Sequence, residues 1–252
     1  MTLYKVLWQL LDVADKYYYV AAPVFLIFYV LLKKRIAYKK IQPKFPAMKD
    51  YVREILYSTL SIVIFSIPPL LLLQSDTVRP HTTFYTDINE YGKLYFVLAL
   101  PLMMLMHDTY FYWTHRLMHA PKLFKLFHLV HHRSTNPSPW AAYAFHPLEA
   151  VVESFIFVIF LFTIPVHPLH LTIFFLFSIA YNVYGHLGFE LYPKNFHRHW
   201  LGKWLNTSVA HNQHHHYFKG NYSLYFTIWD RAMGTLRTDY NSAYEQSSNK
   251  IK

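Results

Sequence analysis

Histidine is the residue type that can do chemistry here. The stretch from His107 to His132 reads HDTYFYWTHRLMHAPKLFKLFHLVHH and holds six of the chain's 17 histidines. His115 and His119 stand four apart, so a helix puts them on one face. Pro121 then interrupts and opens a second helix. On that helix His128, His131 and His132 follow i, i+3, i+4 spacing, again read as one face. The pattern returns far downstream as His211, His214 and His215 in HNQHHHYF. Converging neutral imidazoles are what a transition-metal site needs. A lone histidine beside an apolar face is ordinarily a satisfied core or interface group. His81, His167, His170, His197 and His199 fit no spacing pattern and are read that way. Two copies of His-x-x-His-His and one His-x-x-x-His are different. Without a metal they would repel one another when protonated and leave ring nitrogens to satisfy. Eight or nine imidazoles are too many for one ion, so two metals are implied. The chain has no cysteine. That excludes disulfides, iron–sulfur clusters and thiolate zinc sites and leaves nitrogen or oxygen ligands. Imidazole suits iron, zinc and copper alike, so ligand type leaves the metal open.

The elements that must position these residues belong in a membrane. Of 252 residues, 54% are hydrophobic and only 15% charged, too apolar for an ordinary soluble domain. The formal charge of +10 is read as Lys and Arg gathered at the cytoplasmic edge of a bilayer, not as a nucleic-acid surface. Residues 1–16 are mixed and lack the pattern of a cleaved signal peptide. Tyr17–Leu32 is a first span. The block from Lys33 to Arg53 is opposed only by Asp50 and Glu54, which places that loop in the cytoplasm. Leu56–Leu73 is a second span, kinked by Pro68 and Pro69. Residues 74–93 carry no positive excess and face outside. Leu94–Trp113 returns and delivers the first histidine pair to the cytoplasmic face.

A loop then leads to a helix start near Pro147. Ala150–Tyr184, broken at 164–170, reads as a hairpin of two short helices, thin-spanning or re-entrant. It delivers NVYGHLGFELYP, with His186 and Glu190 four apart. Residues 192–237 are polar, basic and aromatic, and from Thr238 to 252 the chain reads as a disordered tail. The fold class is an all-α integral membrane protein of about four transmembrane helices, the last two possible as a re-entrant hairpin. One domain covers 1–237, and its patterned histidines all fall on the cytoplasmic side, at helix ends or just beyond them. The first two spans hold no ionisable group in their apolar cores, whereas an ion transporter should place such groups at membrane depth.

The ordered set YWTHRLMH, FHLVHHRS, FHPLEA, NVYGHLGFELYP and HNQHHHYFKGNYSLYFTIWDRAMGT resembles the fatty acid hydroxylase superfamily, most closely its sterol desaturase-like branch, over about residues 95–237. The resemblance implies a membrane-bound non-haem di-iron oxygenase, a helical membrane part with a cytoplasmic helical cap carrying the histidine-rich di-metal site, that hydroxylates or desaturates a sterol, fatty acid or related lipid. Carried over residue by residue, the metal ligands are His115, His119, His128, His131, His132, His211, His214 and His215, and His186 matches a further ligand position. Where related hydroxylases often have another histidine four residues on, this chain has Glu190. It ligates through oxygen, hydrogen-bonds a ligand imidazole, or does neither. His146 is read as supporting a ligand rather than ligating. His107, eight residues before His115, lines the same stripe, supports a ligand, or is interfacial. His216 has no assigned role. The implied cofactors are two iron ions, replaceable by zinc in purified protein, with O2 as co-substrate. No electron-transfer domain is visible, so a separate donor is implied: a ferredoxin, or a cytochrome b5-like protein with its reductase, docked on the basic face. The other classes are a membrane zinc hydrolase, which lacks a His-Glu-x-x-His stretch here, and a metal-binding or transport protein without chemistry.

Overall fold

The computed structural model describes residues 2–250. It is all-helical among the described residues. Helix α1, Leu3–Phe25, continues through a π-turn over Leu26–Leu31. The mixed residues from Leu3 onward thus extend the first span, which was read to begin at Tyr17. Helix α2, Met48–Phe65, and α3, Ile67–Leu73, form one bent rod. Pro68 and Pro69 sit in the first turn of α3, where a missing N–H costs nothing. Helix α4, Gly92–Met118, carries the first histidine pair at its C-terminal end. Pro121 opens a short turn leading through a π-turn at Phe124–His128 into α5, Leu129–His132. Helices α6, Pro147–Thr163, and α7, Pro168–Gly185, form the hairpin. Each starts with Pro at its first position and a histidine cap: His146 Nδ1 accepts from the Leu148 N–H at 3.3 Å, and His167 Nδ1 from the Leu169 N–H at 3.1 Å. Helix α8, Ser208–Tyr217, carries the last histidines, and α9, Tyr240–Ser248, closes the chain.

Leu3–Leu31, Met48–Leu73, Gly92–Met118 and Pro168–Gly185 are long and apolar enough to cross a membrane, and the chain is an integral membrane protein. Leu11, Val30, Leu56, Leu94, Val97 and Phe155 point outward, as lipid-facing side chains do. Lipid is as apolar as leucine, so packing and a few interhelical hydrogen bonds must specify the bundle. Tyr17 Oη, fully buried, lies 3.1 Å from Ser58 Oγ and donates to the Trp140 carbonyl at 2.8 Å, tying α1 and α2 to the loop after α5. Tyr110 Oη donates to the Val152 carbonyl at 2.7 Å, tying α4 to α6. Such contacts are worth roughly 1 kcal/mol each in a bilayer.

The tip of the α6–α7 hairpin reaches the connection between α3 and α4. The Thr83 N–H donates to Leu161 O at 2.8 Å, and the Tyr85 N–H to Val166 O at 3.1 Å. The hairpin therefore runs the length of the bundle, which favours the thin-spanning form over the re-entrant one. The reading of a disordered tail from Thr238 is corrected. Residues 240–248 are helical, with Tyr240 1% and Tyr244 0% exposed. These two rings pack against Val209 and Ala210 of α8, a burial worth about 2 kcal/mol per large side chain. Polar composition hid two aromatics four apart. The last two residues of that segment lie outside the described ones.

Candidate metal centre

The C-terminal ends of α4 and α7, the N-terminal end of α6, and helices α5 and α8 meet in one layer. There nine histidines fall into two sets. His115, His119, His128, His132 and His214 form one, and His131, His186, His211 and His215 the other; within each, one nitrogen per ring lies within 4.8 Å of all the rest. All are buried except His119, which is half-buried.

Hydrogen bonds behind the rings set their tautomers. The Nδ1–H of His115 donates to Tyr222 O at 2.7 Å, His186 to Asn182 O at 2.8 Å, His214 to Gly220 O at 2.8 Å and His215 to Ser134 O at 3.0 Å. A carbonyl only accepts, so the proton sits on Nδ1 and the Nε2 lone pair points inward. His128 Nδ1 meets Glu149 Oε1 at 2.5 Å, with both side chains buried. The inward Nε2 atoms crowd together. His115 and His128 are 2.9 Å apart, His132 and His214 3.0 Å, His119 and His214 3.1 Å. In the second set His186 and His211 are 3.0 Å apart, and His215 lies 3.1 Å from each. Lone pairs facing at this distance repel unless a cation lies between them. Adjacent nitrogens about 2.1 Å from one ion lie about 3.0 Å apart at right angles. The donor set therefore fits two metal ions. Burial, then the neighbouring imidazoles, hold His131, His132, His211, His214 and His215 well below the ordinary imidazole range. Burial holds His186 down to about 4 and His119 to about 2. All are neutral at pH 7, as ligands must be.

Carboxylates buttress the loops behind these rings. Asp108 Oδ1 accepts from the Tyr225 N–H at 2.7 Å, and Asp230 Oδ1 and Oδ2 from the Tyr222 and Ser223 N–H groups at 2.9 Å. Both secure the segment whose Tyr222 carbonyl holds His115. Gly220, at φ 81°, turns its carbonyl to His214; a Cβ there would sit 2.8 Å from Thr235 O.

The remaining candidates lie outside both sets. His107 Nδ1 is 2.8 Å from Tyr225 Oη, and its ring lines a cavity. His146 caps α6. Glu190 Oε1 accepts from Tyr184 Oη at 2.5 Å and the Tyr192 N–H at 3.0 Å, and Oε2 from the Val209 N–H at 3.1 Å. Burial pushes its carboxyl up while these donors oppose the shift. Glu190 thus braces the N-terminus of α8, where a carboxylate suits the free N–H groups. His216 joins neither set. Sequence reasoning passed over Glu149, although it stood in FHPLEA three residues past the cap. It also passed over Asp108 and Asp230.

Helices long and apolar enough to cross a bilayer, with two imidazole nests at their ends, define a membrane-embedded protein with a candidate metal centre. The family description "Fatty acid hydroxylase" matches residues 100–235, and the chain belongs to that family. It is 32% identical over 217 residues to a Delta(7)-sterol 5(6)-desaturase of Gibberella zeae, covering 84% of this chain and 62% of that protein. A second protein of that name, from Aspergillus fumigatus, is 30% identical over 84% of this chain and 69% of its own length. Lathosterol oxidase of Rattus norvegicus is 30% identical over 73% of this chain and 60% of its own. The chain thus spans about three fifths to two thirds of these relatives. No solved structure matches it.

Proposed function

We propose that the nine imidazoles hold two iron ions and that the chain is an O2-dependent lipid oxygenase acting on a sterol or related lipid, by hydroxylation or desaturation. The observation that carries this reading is the pair of nests of inward Nε2 lone pairs about 3 Å apart at the membrane's edge. Bound iron supplies the redox chemistry that O2 activation requires. The chain's own residues do the rest. Tyr222, Asn182, Gly220 and Ser134 carbonyls and the Glu149 carboxylate aim the rings. Phe111 and Phe145, 4.9 Å from His115 and 5.0 Å from His131 between ring centres, line the cavity on the lipid side and exclude water. O2 takes four electrons and the substrate supplies two, so a separate donor supplies the others. A ferredoxin or a cytochrome b5-like protein with its reductase suits the basic face. The histidine layer faces the cytoplasm, because the block from Lys33 to Arg53 lies at the same end of the bundle.

Purified protein should contain two irons per chain and consume O2 only with reductant and lipid, giving an alcohol or alkene detectable by mass spectrometry. Metal without O2 consumption across sterol and acyl lipids would sink the oxygenase reading. The chain has no cysteine, so single cysteines at exposed Asp87 and Lys122 test the orientation. An impermeant reagent should label only the first in intact cells.

A further inference from the structure

Phenylalanine is an unusual residue with which to end a helix. Helix α8 stops at Tyr217, and Phe218 follows with φ 60° and ψ 8°, donating its N–H to the His214 carbonyl at 2.8 Å. That left-handed position is ordinarily glycine or asparagine, and a bulky side chain there strains the backbone. Gly220 and Asn221 also take positive φ, but both are residue types that tolerate it. Within this turn Phe218 alone is strained, so the fold keeps a ring where the strained backbone aims it.

That place is over the first imidazole set. The Phe218 ring centre lies 4.9 Å from that of His132 and 6.0 Å from that of Phe124. Phe124 in turn lies 5.5 Å from His132 and 5.3 Å from His119. Neither phenyl lines the cavity that Phe111 and Phe145 line. Phe218 is instead 40% exposed, in a run of exposed residues from His216 to Lys219, and Phe124 stands between exposed Lys122 and Lys125. The two rings therefore separate the first set from water. The imidazoles they touch are the least tethered of that set. His115, His128 and His214 are each held by a hydrogen bond behind the ring. His132 Nδ1 has no partner among the described residues, and His119 is the one half-buried ring of the nine. Packing is what fixes His132.

We infer that Phe218 and Phe124 are positioning residues for the first set: they clamp His132 and close the face through which that set exchanges its ion with solvent. This rests on the metal-centre part of the reading above, not on iron or O2. When the Phe218 ring swings outward, His132 is free to turn, and the first set opens to water on the side of its two least tethered imidazoles. The four rings of the second set are all buried, so that set should exchange only when the bundle itself opens.

The test is metal release from the purified full chain loaded with zinc, followed with a colorimetric chelator in excess. Phe218→Gly, which relieves the left-handed strain, should speed release of one ion by about tenfold or more, because the apolar shell controls solvent access, and leave the other ion at the wild-type rate. Phe218→Tyr keeps a ring and should stay near wild type. Phe124→Ala removes the other half of the clamp and should speed the same ion, which keeps the inference testable where the glycine variant does not fold. Combination with His186→Ala, which keeps the first set, should preserve the acceleration; combination with His132→Ala, which keeps the second, should abolish it. Zinc uptake by the metal-free chain should quicken as well, because an opened path changes rates in both directions. Equal acceleration of both ions means a loosened fold and overturns the inference, as does unchanged release in Phe218→Gly and Phe124→Ala. Faster release without faster uptake means lost affinity and overturns it too. Wild type that holds no zinc defeats the metal-centre reading and the clamp together, whereas any of the failures above with two ions bound defeats the clamp alone.

Discussion

The two imidazole sets are built from the same sequence device used in opposite senses. In the His-x-x-His-His box on α5, His128 and His132 go to the first set and His131 to the second. In the box on α8, His211 and His215 go to the second set and His214 to the first. At 100° per residue, i+4 returns to within about 40° of i, while i+3 falls about 100° away from i+4. Each box therefore reaches two centres at once. The supports differ. His128 in the first set rests on a carboxylate, Glu149, whereas His186 and His215 in the second rest on main-chain carbonyls. The first set has five rings and a carboxyl support; among the described residues the second has four and no side-chain carboxyl hydrogen-bonded to a ring. The second is thus the set with room for a further ligand.

Deleting a ring should have the largest effect. His132→Ala and His214→Ala should empty the first site, and His186→Ala and His211→Ala the second. Metal analysis should read about one ion per chain in place of two, and turnover should fall below detection in all four. Two ions retained in His132→Ala would break the assignment of sets.

The next effect separates the supports. Glu149→Ala removes the partner of His128 Nδ1 and should weaken metal retention about 10- to 100-fold, read by competition with a chelator. Ser134→Ala keeps the carbonyl that holds His215 and should leave retention unchanged. Equal losses in both variants would erase the distinction between a side-chain and a main-chain support.

Glu190 tests whether the second set reaches beyond its four rings. Its carboxylate accepts from Tyr184, Tyr192 and Val209 and touches no histidine. Glu190→Ala should keep both ions but lower stability by about 1–3 kcal/mol, since buried donors lose their acceptor. Loss of one ion with the melting temperature unchanged would return Glu190 to the ligand shell.

The rings themselves were legible, because spacing along a helix is written in the chain. Their partition was not: i, i+3 and i+4 were read as one face, although the geometry of a single turn splits them between two ions. Glu149, Asp108 and Asp230 escaped because a carboxylate behind a ring or a loop leaves no periodic trace. The spans were legible from apolar runs, but α1 began earlier than its run. Lys5, Asp12, Asp15 and Lys16 sit on a helix whose other face is apolar. Residues 240–248 looked unstructured because their order depends on Tyr240 and Tyr244 meeting α8, a contact remote in sequence.

The smallest effect lies behind the second set and concerns pH. Lys40 is fully buried, and its Nζ donates to Asn136 Oδ1 at 2.7 Å. Asn136 belongs to the loop whose Ser134 carbonyl holds His215. Burial chiefly, with the Lys250 ammonium nearby, lowers the Lys40 ammonium from 10.5 to about 7. The unfolded chain keeps the ordinary value, so between about pH 7 and 10.5 it binds more protons than the folded one. Stability must then rise with pH across that window. Below about pH 7 both states are charged and the full cost of burying the ammonium remains. Lys40→Met removes the titrating group. The melting temperature of wild type relative to this variant should therefore increase from pH 7.5 to 9.5, by on the order of a few degrees. Among the described residues Lys40 is the only buried lysine, so the segment supporting the first set has no counterpart to it. Parallel pH profiles for wild type and Lys40→Met would show that Lys40 does not carry this difference between the two supports.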